Sequence, residues 1–159
     1  MPRRGPAKPR RVQKDPLYGD LMLAKLVNRV MRDGKKSVAQ KQVYKALEII
    51  KGKGDDGPLV LFHRALANIR PSMEVRSRRV GGAAYQVPMP VRGARQDALA
   101  IRWMIEAAQA RDNSQFHTFG DKLAAEIMEA EKEEGGAVKK KMDMERVAEA
   151  NRAFAHFRW

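Results

Sequence analysis

The spacing of apolar residues changes from helical to extended and back again, and this change constrains the fold more than any other feature. Between residues 20 and 69, apolar residues recur at the three- and four-residue intervals of amphipathic helices. Between residues 73 and 91 the period is two, with Gly81 and Gly82 in the middle, and helical spacing then returns. The sequence therefore predicts a mainly α protein, a single domain of about six helices with a protruding two-stranded β-hairpin over residues 73–91.

Residues with N-capping side chains determine where the helices are predicted to begin. Short polar side chains accept hydrogen bonds from the free N–H groups of a first helical turn, and proline is tolerated there. The predicted starts, in chain order, are at Asp20, Ser37, Asp56 with Pro58, and Asn113 or Ser114. The last helix is predicted over about residues 140–157, close to the C-terminal Trp159.

The two adjacent glycines fix a register for the hairpin, because both accept the positive φ of a tight two-residue turn. In that register Arg78 lies opposite Tyr85, Arg76 shares their face, and Arg79 lies on the other face. Arginine binds phosphates through two hydrogen bonds, and tyrosine stacks on exposed bases, so the hairpin is interpreted as RNA-binding. The alternative is a solvated hairpin whose arginines keep an exposed edge soluble.

The net charge of +13 is concentrated in the first two thirds of the chain. Residues 1–51 carry +10, residues 52–111 carry +5, and residues 112–159 carry −2. So large an excess of one sign indicates a polyanionic partner. Residues 1–14 contain three prolines and six cations, and they are predicted to form a basic extended arm on a domain of residues 15–159; the cations are Arg3, Arg4, Lys8, Arg10, Arg11 and Lys14. The alternative is a solvated tail without function.

The sequence contains no residue pattern typical of catalysis or metal binding. There is no cysteine, and the three histidines lack the spacing of metal ligands. No run of about 18 apolar residues and no N-terminal signal segment is present. The chain is therefore predicted to be a cytoplasmic protein that is not an enzyme, without cofactor, metal, small-molecule substrate or membrane association.

Several longer motifs resemble the family of bacterial small-subunit ribosomal protein number seven. They are MRDGKK at 31–36, MEVRSRRVGGA at 73–83, YQVP at 85–88, LAIRW at 99–103, GGAVKKK at 135–141 and AEANRAFAHFRW at 148–159. The resemblance extends over essentially the whole chain. It implies a non-catalytic protein that binds the three-prime major domain of small-subunit ribosomal RNA and starts assembly of the subunit head. It also implies a position near the exit-site transfer RNA and the messenger exit path, beside small-subunit protein number eleven.

The candidate RNA-binding residues combine the arm, the hairpin and two further basic patches. Besides the six arm cations they are Lys35, Lys36, Arg76, Arg78, Arg79, Tyr85, Arg92, Arg95 and Arg102. For contact with transfer RNA the candidates are Arg78, Arg79, Gly81 and Gly82 at the hairpin tip. The aromatic end of the chain, Phe154, Phe157 and Trp159, is the candidate face for a protein partner.

Two other functions are alternatives to the ribosomal one. A helical DNA-binding regulator would insert one helix into the major groove, but the cations favour the arm and hairpin over a single helix face. An RNA-processing enzyme would need acid and base groups in a recognisable arrangement, and none is present in the sequence.

Overall fold

The computed structural model describes residue 5, residues 11–52 and residues 57–158. The predicted fold class is confirmed: within these residues the chain forms six α-helices and one antiparallel hairpin. In chain order the elements are α1 (Leu21–Val30), α2 (Lys36–Lys51), α3 (Pro58–Ile69), β1 (Met73–Val80), β2 (Ala83–Pro90), α4 (Ala94–Ala110), α5 (Phe119–Glu131) and α6 (Gly136–Ala150), followed by a C-terminal 3₁₀ helix (Arg152–Phe157).

The helices pack around α5, which contacts α2, α3 and α4. Each helix turns an apolar stripe inward, as the spacing of its residues requires. The largest fully buried side chains come from five different helices, and they include Leu26, Leu47, Phe62, Met104 and Leu123. One continuous core therefore joins α1 through α6. No helix in the described ranges is long and apolar enough to cross a membrane.

The start of α1 agrees with the prediction, whereas α2 begins earlier than predicted. The Asp20 carboxylate accepts a hydrogen bond from the Leu23 N–H at 2.6 Å, as an N-cap should. Ser37 does not cap α2, because the helix already begins at Lys36 and its N-cap, Lys35, makes no side-chain capping bond. The Lys35 N–H donates to the Arg32 carbonyl at 3.0 Å. This tight turn brings the chain into the helix before Ser37 is reached.

The predicted start of α5 at Asn113 or Ser114 is wrong. Ser114 donates both its N–H and its hydroxyl to the Asp112 carboxylate, so its side chain is committed to a local turn. Thr118 is the N-cap instead, and it exchanges hydrogen bonds with Asp121 in a capping box.

The start of α3 lies close to its predicted position: Pro58 is its first residue, as predicted, with Gly57 at the N-cap. The predicted capping residue Asp56 lies outside the described residues.

The terminal α-helix is also shorter at its end than the predicted range of 140–157. It starts at Gly136 and stops at Ala150, and a 3₁₀ helix continues to Phe157. The Asn151 side-chain amide donates to the Val147 carbonyl at 2.8 Å. The same carbonyl also accepts the Asn151 backbone N–H at 3.2 Å, so the Asn151 side chain reinforces the last α-helical turn.

The hairpin has the predicted register throughout. Val80 pairs with Ala83, Arg78 with Tyr85, and the pairing continues to Met73 with Pro90. The turn glycines have φ of +58° and +89°, the positive values that a two-residue hairpin turn of this kind requires. β1 contacts α6 and β2 contacts the 3₁₀ helix, while the turn itself is exposed. The helical domain thus supports the base of the hairpin and leaves its tip accessible.

Candidate nucleic-acid interface

A buried carboxylate on β1 holds two arginines at the base of the hairpin. The Glu74 residue is 5% exposed. Its Oε2 accepts hydrogen bonds from Arg95 Nε at 3.1 Å and Arg95 Nη2 at 3.0 Å. Its Oε1 accepts from the Arg76 guanidinium. Both arginine side chains remain about half exposed, at 53% for Arg76 and 49% for Arg95. Glu74 therefore fixes two cations at the surface and leaves each with unused donors.

The two arginines also keep Glu74 ionised. Burial alone would raise the pKa of this carboxyl group, but the hydrogen bonds and charges of Arg95 and Arg76 outweigh burial, and the pKa is lowered overall. The group is consequently a carboxylate at neutral pH, and it orients the guanidinium groups through charge-assisted hydrogen bonds.

The pairing predicts an acid-dependent contribution to stability. Because the pKa of Glu74 is lower in the folded than in the unfolded chain, its contribution is fully present above the unfolded pKa of about 4.3 and disappears as the pH falls through the folded pKa. Glu74→Gln should therefore destabilise the protein at neutral pH and flatten the loss of stability in acid. Urea unfolding between about pH 3 and pH 7 measures both effects. Parallel pH profiles for the two proteins would contradict this interpretation.

A second carboxylate, Asp97, lies on α4 two residues after Arg95. Asp97 Oδ1 forms an ion pair with Arg70 Nη2 at 2.9 Å, and Asp97 Oδ2 accepts a hydrogen bond from Lys25 Nζ at 3.5 Å. The Asp97 side chain is 15% exposed, whereas Arg70 and Lys25 are each 32% exposed. This carboxylate joins α1 and the end of α3 to the start of α4.

Beside Asp97 lies a cleft of about 260 Å³ between α1 and α4. Its basic lining residues are Lys25, Arg29 and Arg102. Lys25 and Arg29 are four residues apart and so share one face of α1. Arg102 Nε is buried without a hydrogen-bond partner among the described residues. A buried, unpaired donor is costly, and an anionic oxygen is the acceptor that best relieves the cost.

We call the combined surface the basic face. It consists of six cations: Lys25, Arg70, Arg76 and Arg95, which pair with Glu74 or Asp97, and Arg29 and Arg102, which line the cleft. Six positive charges against two negative ones leave this surface with a surplus of +4. An arginine that is already paired with a carboxylate loses little side-chain conformational entropy when it binds a ligand. The surface is therefore preorganised for a polyanion.

The structure brings only some of the sequence-predicted residues into this face. Arg76 and Arg95 meet at Glu74, and Arg102 lines the cleft. By contrast, Lys35 lines a separate cavity with Arg32 and Phe119, and Lys36 is the exposed first residue of α2.

The remaining predicted cations lie elsewhere on the surface or outside the description. Arg79 and Arg92 are exposed, and so are Arg11 and Lys14. Arg78 is half-buried beside its strand partner Tyr85. Arg3, Arg4, Lys8 and Arg10 lie outside the described residues, as does Trp159. No group of three or more potential metal ligands occurs among the residues that the structure describes.

Tyr85 lies within an aromatic cluster of this chain. Its ring centroid is 5.2 Å from that of Phe154 and 5.3 Å from that of Phe157, in tilted arrangements. Such pairs stabilise a fold beyond simple burial. The C-terminal 3₁₀ helix therefore packs on the hairpin through the same rings that the sequence suggested for base stacking and for a protein partner. Both of those roles stay predictions.

Sequence reasoning missed three cations of the basic face, namely Lys25, Arg29 and Arg70. The four-residue spacing of Lys25 and Arg29 on α1 was a usable signal. Arg70 offered none, because its role follows from a tertiary contact with Asp97 on another helix. The organising carboxylates Glu74 and Asp97 were missed for the same reason.

The fold and the basic face define a class: basic, mainly helical proteins that present a preorganised cationic surface to a polyanion. Within that class, the chain belongs to the ribosomal protein S7p/S5e family, whose family model matches residues 2–152. The resemblance predicted from the motifs is thereby confirmed. Members of this family are structural proteins, which agrees with the prediction that the chain is not an enzyme.

Full-length relatives show the same relationship. The chain is 53% identical to small ribosomal subunit protein uS7 of Bartonella henselae and 55% identical to that of Caldicellulosiruptor bescii. It is 50% identical to the uS7 protein of a Sulfurihydrogenibium species. Each comparison covers 159 residues and the whole of both chains.

Proposed function

We propose that this protein is a structural component of the small ribosomal subunit that binds ribosomal RNA through the basic face. The observation that carries the proposal is the arrangement of six cations, four of them paired with Glu74 or Asp97, beside a cleft of about 260 Å³ between α1 and α4. The relatives named as small-subunit proteins support the ribosomal setting.

The finer part of the proposal concerns where in the subunit the protein acts. It binds the three-prime major domain of the RNA and starts assembly of the subunit head. There it lies beside protein number eleven, near the exit-site transfer RNA and the messenger path. The exposed hairpin tip supports contact with a transfer RNA, since Arg79, Gly81 and Gly82 are all accessible.

The cations of the basic face come from α1, the C-cap of α3, β1 and α4 rather than from one helix. A regulator that reads the major groove would concentrate its contacts on a single recognition helix. The distribution therefore favours a folded RNA surface, whose phosphates approach from several directions, over a DNA duplex.

A binding comparison tests this function. The full chain should bind a fragment of the three-prime major domain more tightly than a five-prime domain fragment of equal length, by at least about tenfold at the same salt concentration. Equal length and salt matter because non-specific binding depends on phosphate density alone. Equal affinity for the two fragments would overturn the proposed domain preference. Failure to bind either fragment would overturn RNA binding itself.

A further inference from the structure

A buried carboxylate lies where the basic arm joins the helical domain. Asp15 is 4% exposed, and it is the first buried residue in the described part of the chain. A carboxylate is stable in such a place only when hydrogen bonds replace its water. Its Oδ2 accepts from the N–H groups of Leu17 and Tyr18, each at 3.1 Å. These bonds fold the chain into a turn directly before α1.

The other carboxylate oxygen is held by a side chain from α2. Asp15 Oδ1 accepts a hydrogen bond from the Tyr44 hydroxyl at 2.8 Å. Burial and the hydrogen bond to Asp15 raise the pKa of Tyr44 to about 12, so the hydroxyl remains a donor at neutral pH. The backbone is fixed as well, because the Asp15 N–H donates to the Asp20 carbonyl at 3.1 Å and the Gly19 N–H donates to the Asp15 carbonyl at 2.8 Å.

All six cations of residues 1–14 precede this anchored point. Residues 11–14 are exposed and belong to no helix or strand. Asp15 is thus the first of the described residues that the domain holds, and residues 11–14 lead away from this anchor.

We propose that the Tyr44–Asp15 hydrogen bond positions the arm for RNA, making Tyr44 and Asp15 positioning residues that act through the arm. The inference rests on the proposed function. An anchored segment searches a smaller volume than a loosely attached one, so its effective concentration near the RNA is higher. Preorganisation of this kind raises affinity without adding a contact.

The test is a double-mutant cycle in the full chain, using the three-prime RNA fragment. Tyr44→Phe removes only the hydroxyl, and it should weaken RNA binding by about three- to tenfold. It leaves Asp15 Oδ1 without this donor, so the melting temperature should also fall, and affinity is measured well below that temperature. The arm-neutral variant replaces all six arm cations with Gln: Arg3, Arg4, Lys8, Arg10, Arg11 and Lys14. In that background Tyr44→Phe should have no effect on affinity, because the arm through which it acts no longer binds.

Tyr18→Phe is the matched control. Its ring centroid lies 5.9 Å from that of Tyr44, but Tyr18 offers Asp15 its backbone N–H rather than its hydroxyl. It should leave affinity unchanged. Hydrogen exchange adds a structural readout, since the amides of Leu17, Tyr18 and Gly19 should exchange faster in Tyr44→Phe. Asp15→Asn weakens the same bond from the other partner, and it should give the same cycle even where Tyr44→Phe proves unstable.

The outcomes distinguish failure of the positioning role of Tyr44 and Asp15 from failure of RNA binding itself. An equal loss of affinity from Tyr44→Phe in both backgrounds, or no loss in either, overturns the positioning role while RNA binding stands. The same holds if the arm-neutral variant binds as tightly as the natural sequence. Absence of RNA binding by the natural sequence overturns both.

Discussion

Replacement of Glu126 by alanine should lower the free energy of unfolding by about 3–5 kcal/mol, because it breaks a buried ion pair from one side. Glu126 is 1% exposed on α5. Its Oε2 accepts hydrogen bonds from Arg111 Nε at 3.0 Å and Arg111 Nη2 at 2.6 Å. Its Oε1 accepts from the Ala137 N–H at 2.8 Å. One side chain thus joins the end of α4, the middle of α5 and the start of α6.

Glu129→Ala is the matched control for this prediction. It removes the same side chain from the same helix, and Glu129 also pairs with Arg111, but its side chain is 43% exposed. Water replaces an exposed partner at little cost, so the loss should be about 1 kcal/mol or less. Urea unfolding of the two variants gives the comparison. Losses of similar size would show that burial of Glu126 is not the source of its effect.

Neutralising the α1–α4 cleft should give the largest effect on RNA binding. The variant Lys25→Gln, Arg29→Gln, Arg102→Gln removes three cations that line one cavity. If each contacts one phosphate, the slope of log affinity against log salt should fall by about 2–3, and affinity at about 0.1 M salt should fall by about 100-fold. Filter binding over a range of salt concentrations measures the slope and the affinity together.

The control for the cleft variant removes the same charge from another surface. Lys41 and Lys51 on α2 and Lys132 at the end of α5 are all exposed, and none lines the cleft. Their triple replacement by glutamine should change the affinity only a little, through long-range attraction that salt screens. An equal loss in both triple variants would mean that net charge alone, and not the basic face, governs binding.

The hairpin could be predicted in detail because it depends on local rules. Two adjacent glycines determine the turn, and the two-residue period of a strand then determines every pair as far as Met73 and Pro90. Helix starts were less predictable. Ser114 and Thr118 are both capable N-caps, and the outcome depends on Asp112, whose carboxylate holds Ser114 in a turn.

The basic face could be predicted only in part, since it is a product of tertiary contacts. Arg76, Arg95 and Arg102 were identified as cations, but nothing in the sequence showed that Glu74 would hold the first two together. The pairing of Arg70 with Asp97 likewise requires α3 and α4 to pack as they do. The excess of positive charge can be predicted from composition alone. The pairing of individual cations with Glu74 and Asp97 cannot, because it depends on how the helices and the hairpin pack.

The most direct test of the basic face uses the absence of cysteine from the natural sequence. A single cysteine can therefore carry a tethered hydroxyl-radical source at a chosen position. Ala98→Cys places the source at the cleft, where Ala98 is exposed, and Val60→Cys places it on α3 at a residue that is 52% exposed. In the complex with the three-prime major domain, the source at residue 98 should cut the RNA at a few discrete sites, and the source at residue 60 should cut it weakly. Strong cutting from residue 60 with none from residue 98 would contradict the assignment of the basic face as the RNA-binding surface.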